Sequence, residues 1–247
     1  NNRLRWDPTA MRELFHFGKY VFASTIFGFI VNHADRAIMG AFIPLSVLGV
    51  FTVATTFATL PFSISQMLTN RVVLPLYRMR PISESESNRR HIFNFRRLVI
   101  ACGLLGNGIF AFIGVQMVEF LYDDRYVLAG AMLVLLCFAY VPRIVFVGTG
   151  AFMLAQGDSR RFMYYTGVLA LTQTICLIVG VNYFGVVGAI LSHAAAILLT
   201  SPLRIYYAML YDAWDWKGET GLLVLGLLIG GWACWIHRLA ILELLNI

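Results

Sequence analysis

Charge is what this chain has least of: 13% of its residues are Asp, Glu, Lys or Arg, and lysine occurs only at Lys19 and Lys217. Soluble domains carry about 25% charge, so a water-soluble fold is excluded. Cysteine is sparse too. Cys102, Cys137, Cys176 and Cys234 each lie inside an apolar stretch, with no Cys-x-x-Cys pair and no His at ligand spacing, which argues against disulfides and zinc. There is no Gly-rich phosphate loop with a Lys, no His-Glu-x-x-His, no Gly-x-Ser-x-Gly and no carboxylate pair placed for acid and base work. No enzyme, catalytic residue, metal or cofactor is therefore expected.

Apolar residues, by contrast, make up 59% of the chain, and mean hydropathy is +0.74. With ~20 residues per crossing, a chain of this length holds at most about ten spans and no large aqueous domain beside them. Seven apolar segments can be read, at 14–34, 45–66, 98–118, 128–147, 162–181, 186–205 and 221–236. Each is of helix length, and the runs lack the period of two that a transmembrane β-strand needs. The fold class is an all-α polytopic membrane protein of about seven transmembrane helices.

Residues 1–13 read as a cytoplasmic interfacial amphipathic segment, with Asp7 as N-cap and Pro8 at the first helical position. Residues 14–210 hold six of the spans, and 211–247 an additional transmembrane helix and tail. The second helix is expected to run through Pro61 to about Leu74, kinked and projecting beyond the bilayer. The start, Asn1-Asn2 without Met, points to a fragment or to the second half of a longer protein.

The net charge of +6 comes mostly from arginine, which lies between apolar stretches rather than in a patch with exposed aromatics. That pattern favours membrane topology over nucleic acid. Fourteen basic residues fall on one side: Arg3, Arg5, Arg12 and Lys19, then Arg78 to Arg97, Arg160 and Arg161, Arg204 and Lys217. The other side has Arg36, Arg125 and Arg238, so the positive-inside rule puts the N-terminus in the cytoplasm and the C-terminus outside. Outer connections are short, around Asp35-Arg36, 119–126 and 182–185. The longest polar segment, 78–97, reads as a flexible basic loop.

Polar side chains inside spans mark faces turned to protein or water. On the second helix Thr52, Thr55, Thr56, Thr59, Ser63, Gln66 and Asn70 recur at helical spacing, a stripe that either packs against a neighbour or lines a water-filled cavity. Thr25, Gly28, Asn32 and Asp35 repeat the pattern on the first span, with Asp35 read as interfacial or paired with Arg36. Thr166 and Gln173 lie on the fifth, and His193, Thr200 and Arg204 share a face of the sixth. The third and seventh spans offer little polar surface and are placed toward lipid. Acidic residues are expected at helix ends, with none buried.

Arg143 follows Pro142 about 16 residues, or ~24 Å, from the outer end of the fourth span. It either snorkels to the inner surface or turns its guanidinium into the protein, where it is suited to bidentate contact with phosphate oxygens. Tyr140 lies one turn earlier on the same face. The candidate substrate-binding residues are Arg143 with Tyr140, His193 and Arg204, together with Gln66, Asn70, Thr59 and Asn32.

The connectors carry a resemblance. Asp35-Arg36-Ala37-Ile38-Met39-Gly40 with Leu48-Gly49-Val50-Phe51, Leu121-Tyr122-Asp123-Asp124-Arg125-Tyr126, Ala155-Gln156-Gly157-Asp158-Ser159-Arg160, and Phe184-Gly185-Val186-Val187-Gly188-Ala189 follow one another in order. Over about residues 10–210 the chain resembles the second half of bacterial O-antigen and capsular-polysaccharide flippases of the multidrug/oligosaccharidyl-lipid/polysaccharide exporter superfamily. Phe51 stands where that family commonly has Tyr, and the six-helix first half is not in this sequence.

The resemblance implies that residues 14–210 form one six-helix lobe of a two-lobed, alternating-access transporter in the cell inner membrane, moving an undecaprenyl-pyrophosphate oligosaccharide through a cationic cavity for surface polysaccharide biosynthesis. Its implied partners are the lipid-linked oligosaccharide, membrane lipids, a polysaccharide polymerase and glycosyltransferases. A multidrug exporter on the same fold and a membrane-embedded glycan transferase or ligase remain as alternatives. A seven-helix receptor is disfavoured by the absence of Lys from the last span.

Overall fold

The structure, a computed structural model, describes residues 8–79 and 82–244. Among these residues it is helical with no strand, in the order α1 (Pro8–Phe42), α2 (Leu45–Leu68), a π-helical turn (Thr69–Val73), α3 (Leu74–Met79), α4 (Glu86–Leu121), α5 (Val127–Val145), α6 (Thr149–Ala155), α7 (Ser159–Leu210), α8 (Trp216–Ile236) and α9 (Arg238–Glu243). Five helical stretches are long and apolar enough to cross a membrane, and α1 is not one of them, its polar residues Lys19, Asn32, His33, Asp35 and Arg36 lowering its hydropathy. The chain is an all-α polytopic membrane protein.

The centre of the bundle is α5, which is buried on every side. Its sequence explains why: a helix apolar all round belongs in a core, and small residues let neighbours approach closely. A Cβ on Gly130 would lie 2.8 Å from the Val115 Cα of α4, and one on Gly114 3.1 Å from Leu133. Helices α2, α4, α7 and α8 pack around α5, and α1 lies along α7.

The expected fifth and sixth spans are the two arms of α7, folded back at Gly185, whose φ of 55° and ψ of −139° interrupt the helix. Glycine adopts that geometry at no steric cost. Near the turn the arms touch backbone to backbone, since a Cβ on Gly188 would sit 2.1 Å from the Gly180 carbonyl oxygen. At the far ends Tyr211 donates to Asp158 Oδ2 at 2.7 Å.

Helix continues from α2 to Met79, as the sequence suggested and somewhat further. In the π turn Leu74 N–H bonds to the Thr69 carbonyl, one residue beyond α-helical register, and Pro75, which follows, has no N–H to give the Arg71 carbonyl.

Four expectations need correction. Asp35-Arg36 is not a connection, because α1 runs unbroken to Phe42. The segment 78–97 is mostly not a loop: α4 starts at Glu86 under a Ser85 cap that accepts from Ser87 N–H, and carries Arg89 to Arg97 in its first turns. The third span does not face lipid alone; Gly103, Asn107, Ala111 and Gly114 of α4 are buried. Buried acids do exist, since Asp35 and Glu219 are 4% and 3% exposed. Asp7, the expected N-cap, and Arg3, Arg5 and Trp6 lie outside the described residues.

Candidate functional site

The cavity that gathers the predicted polar residues has a volume of about 200 Å³ and lies among α1, α2, the π turn, the end of α5, α6 and α7. Asn32, Gln66, Asn70 and Arg143 line it together with Phe62, Phe146, Thr149, Tyr165 and Thr166. Asn70 reaches it from the π turn and pairs with Gln66, whose Nε2 lies 3.1 Å from Asn70 Oδ1. Irregular helical turns of this kind are frequent at functional sites.

Arg143 is turned inward rather than snorkelling and is 8% exposed. It sits in the last turn of α5, where the helix dipole favours a cation, and Pro142 still receives a bond from Phe146 N–H at 3.0 Å. Its Nη2 donates to Asn32 Oδ1. Its Cζ lies 4.3 Å from the Phe62 ring centroid and 5.3 Å from that of Tyr140, within cation–π range. Among the described residues no carboxylate lies within ion-pair distance of it, whereas the other buried arginines, Arg96 and Arg204, share the single carboxylate of Glu219.

Tyr140 and His193 stand behind the cavity wall rather than on it. Their rings meet edge to face at 5.3 Å, and both are fully buried. His193 Nδ1 faces Gln173 Nε2 at 3.0 Å, that same nitrogen donating to the Val31 carbonyl at 3.0 Å. His193 Nε2 points at Asp35 Oδ2, 3.9 Å away. Asp35 Oδ1 accepts from Arg36 N–H at 2.8 Å.

Two further predicted residues, Thr59 and Arg204, do not line the cavity either. Thr59 spends its hydroxyl on the Thr56 carbonyl at 3.0 Å, as Thr52 and Thr56 do on carbonyls one turn back, so the threonine stripe needs no water partner. Arg204 donates to Glu219 Oε2 at 2.7 Å and stacks on Phe146, its Cζ 3.7 Å from the centroid, and does not itself line the cavity. It forms a second polar cluster with Arg96, which also bonds Glu219, the Tyr77 hydroxyl at 3.1 Å and the Ala213 carbonyl at 2.8 Å. Beside it Asp215 caps α8 and accepts from Arg97 Nε and Nη2, each at 2.6 Å. Burial alone would raise the Asp215 pKa, but the bonds from Arg97 and Gly218 N–H outweigh it and hold the carboxyl below its ordinary value.

Phe62, Tyr165 and Phe146 carried no signal in the sequence, because an aromatic in an apolar run reads the same whether it faces lipid, core or cavity. Glu219 was legible only as a helix-start acid.

The sequence matches the model of the family described as polysaccharide biosynthesis protein over residues 1–129, just over half of the chain. It is 22% identical over 232 residues to a probable low-salt glycan biosynthesis flippase of Haloferax volcanii, covering 89% of this chain and 48% of that protein. It is 21% identical over 176 residues to a teichuronic acid biosynthesis protein of Bacillus subtilis, covering 68% of this chain and 36% of that one. The chain thus spans less than half the length of these relatives. No solved structure matches it.

Proposed function

We infer that this chain, which belongs to the polysaccharide biosynthesis protein family, is one lobe of a membrane flippase that carries a lipid-linked oligosaccharide across the cell inner membrane. The observation that carries this reading is Arg143, a buried cation at a cavity wall with no carboxylate within ion-pair distance among the described residues. An unpaired buried charge is costly, so such a group is retained where an anion from outside completes it. Guanidinium matches phosphate oxygens two at a time, and Gln66, Asn70, Thr149 and Thr166 offer neutral hydrogen bonds around it.

Size refines the assignment. About 200 Å³ is below the range of about 300–1,000 Å³ typical of drug-sized sites, so the cavity takes a pyrophosphate-sized headgroup and leaves the glycan outside it. The polyprenyl tail stays in lipid, which costs nothing. The cavity lies toward the arginine-rich end of the bundle, the cytoplasmic end by the positive-inside rule, where a newly made lipid-linked precursor is presented. Rocking against a second lobe around this site then exposes the headgroup to the other leaflet. The reading is that of a transporter rather than an enzyme.

The buried Asp35 favours the multidrug alternative, since a carboxylate attracts cationic drugs. It stands behind the wall, however, while the group on the wall is a cation, which repels them. Deleting the gene decides between the two: loss of surface polysaccharide with accumulation of its lipid-linked precursor and unchanged drug tolerance supports the flippase. Intact polysaccharide with raised drug sensitivity overturns it.

A further inference from the structure

We propose that Asp35 is a proton-binding site that fills together with the anion at Arg143, so that a proton travels with the headgroup. This rests on the reading that a phosphate-bearing headgroup enters the cavity.

Asp35 follows Asn32 by one helical turn on the same face of α1, and Asn32 holds Arg143. Its carboxylate is buried. The titratable and charged groups facing it are Arg36 and His33 on its own helix, Arg143 and Tyr140 from α5, and His193 from the second arm of α7. Helix α2, which also packs on α1, contributes none.

The position of the proton on His193 follows from its neighbour. Gln173 Nε2 has two hydrogens, one spent on the Val31 carbonyl and the other on His193 Nδ1, so Nδ1 is an acceptor and the ring hydrogen sits on Nε2. That hydrogen points at Asp35, yet 3.9 Å is too long for a bond, and His193 Nε2 is left as a buried polar atom without a partner. An imidazolium would need Gln173 to turn over and abandon Val31. His193 therefore stays neutral, and a proton arriving at the pair from solvent adds to an Asp35 carboxylate oxygen.

Ionised, Asp35 depends on the fields of Arg36 and Arg143 for its stability in a desolvated place. An anion on Arg143 cancels that arginine's field and sets negative charge near negative charge. The carboxylate then takes up a proton. Linkage makes the effect mutual: a neutral Asp35 no longer repels an anion held at Arg143, and the anion binds more tightly. The physical gain is a smaller net negative charge to move through the membrane core.

The test uses purified full-length protein in nanodiscs with inorganic pyrophosphate as the probe. Calorimetry in buffers of different ionisation enthalpy gives the protons taken up per pyrophosphate bound, and Asp35→Asn gives the share owed to the probe itself. Wild type should take up as much as about one proton more than D35N, and the D35N affinity should lack the wild type's extra loss, about 5-fold or more, as pH rises. Infrared spectra of wild type, which do not depend on the variant folding, should gain a protonated-carboxyl band when pyrophosphate is added. Pyrophosphate binding with no proton difference and no new band overturns the proposal while leaving the headgroup reading intact. No pyrophosphate binding at any pH overturns both.

Discussion

Arg143 of α5 and Asn32 of α1 are joined by a hydrogen bond from Nη2 to Oδ1, although 111 positions separate them in the chain. The bond holds the guanidinium against the cavity wall with a neutral acceptor, which positions the cation without cancelling it. Replacing Asn32 by Asp should therefore harm transport more than replacing it by Ala, because a new carboxylate competes with the incoming anion. Export by N32D should fall about 10-fold or more, equivalent to about 1.4 kcal/mol, with N32A closer to wild type. Surface polysaccharide per molecule of membrane-inserted protein is the readout, and an N32D variant at least as active as N32A would contradict it.

Glu219 sits between Arg96 and Arg204 with all three side chains nearly inaccessible. Glu219→Gln leaves two buried cations facing one another without a counter-charge. Removing one partner of such an arrangement costs about 3–5 kcal/mol, so the thermal midpoint in detergent should drop markedly. An unchanged midpoint would mean that Ala213 and Tyr77 suffice for Arg96 and that Arg204 needs no counter-charge.

The hairpin of α7 depends on two glycines. A Cβ on Gly188 meets the Gly180 carbonyl, which is backbone and cannot step aside, so Gly188→Ala should force the arms apart and lower the yield of folded protein. Gly231→Ala serves as the control, with nothing within 4 Å of its added carbon, and should fold normally. Equal yields of the two variants would argue against the closely packed turn.

Asp215 and Arg97 give a pH dependence with a definite sign. The folded carboxyl titrates below the unfolded value of about 3.9, so its stabilisation is complete above that value and disappears as pH falls through the lower folded one. The difference in melting midpoint between wild type and Asp215→Asn should be wide at neutral pH and close only in acid. A gap that persists unchanged at the lowest pH would show that the bond does not depend on ionisation.

Most of the fold could be read from the sequence because lipid imposes a simple rule, that a crossing helix must be long and apolar. The extension of α2 past Pro61 was legible from its sequence. The central place of α5 was not drawn from its sequence, although its all-round apolarity and its Ala129-Gly130-Ala131 run carry the signal. Asp35 was misread as a loop residue because charge normally ends a span, and its burial is supported by the Arg36 N–H bond and the nearby Arg36 and Arg143 charges. Arg204 was placed in the site by helical spacing from His193. Spacing fixes a face but not a partner, and Glu219 lies on a different helix. Thr59 fell to the same limit, since its hydroxyl is already satisfied within α2.

The most direct measurement is translocation itself. Full-length protein in proteoliposomes is given an undecaprenyl-pyrophosphate oligosaccharide labelled on its glycan, and the fraction of label open to a membrane-impermeant oxidant is followed over time. Wild type should expose glycan faster than protein-free liposomes, Arg143→Lys should retain part of that rate, and Arg143→Ala, inserted at normal levels, should fall to the protein-free rate. Translocation by Arg143→Ala at the wild-type rate would contradict the account, leaving Arg143 a packing residue between Asn32 and Phe62.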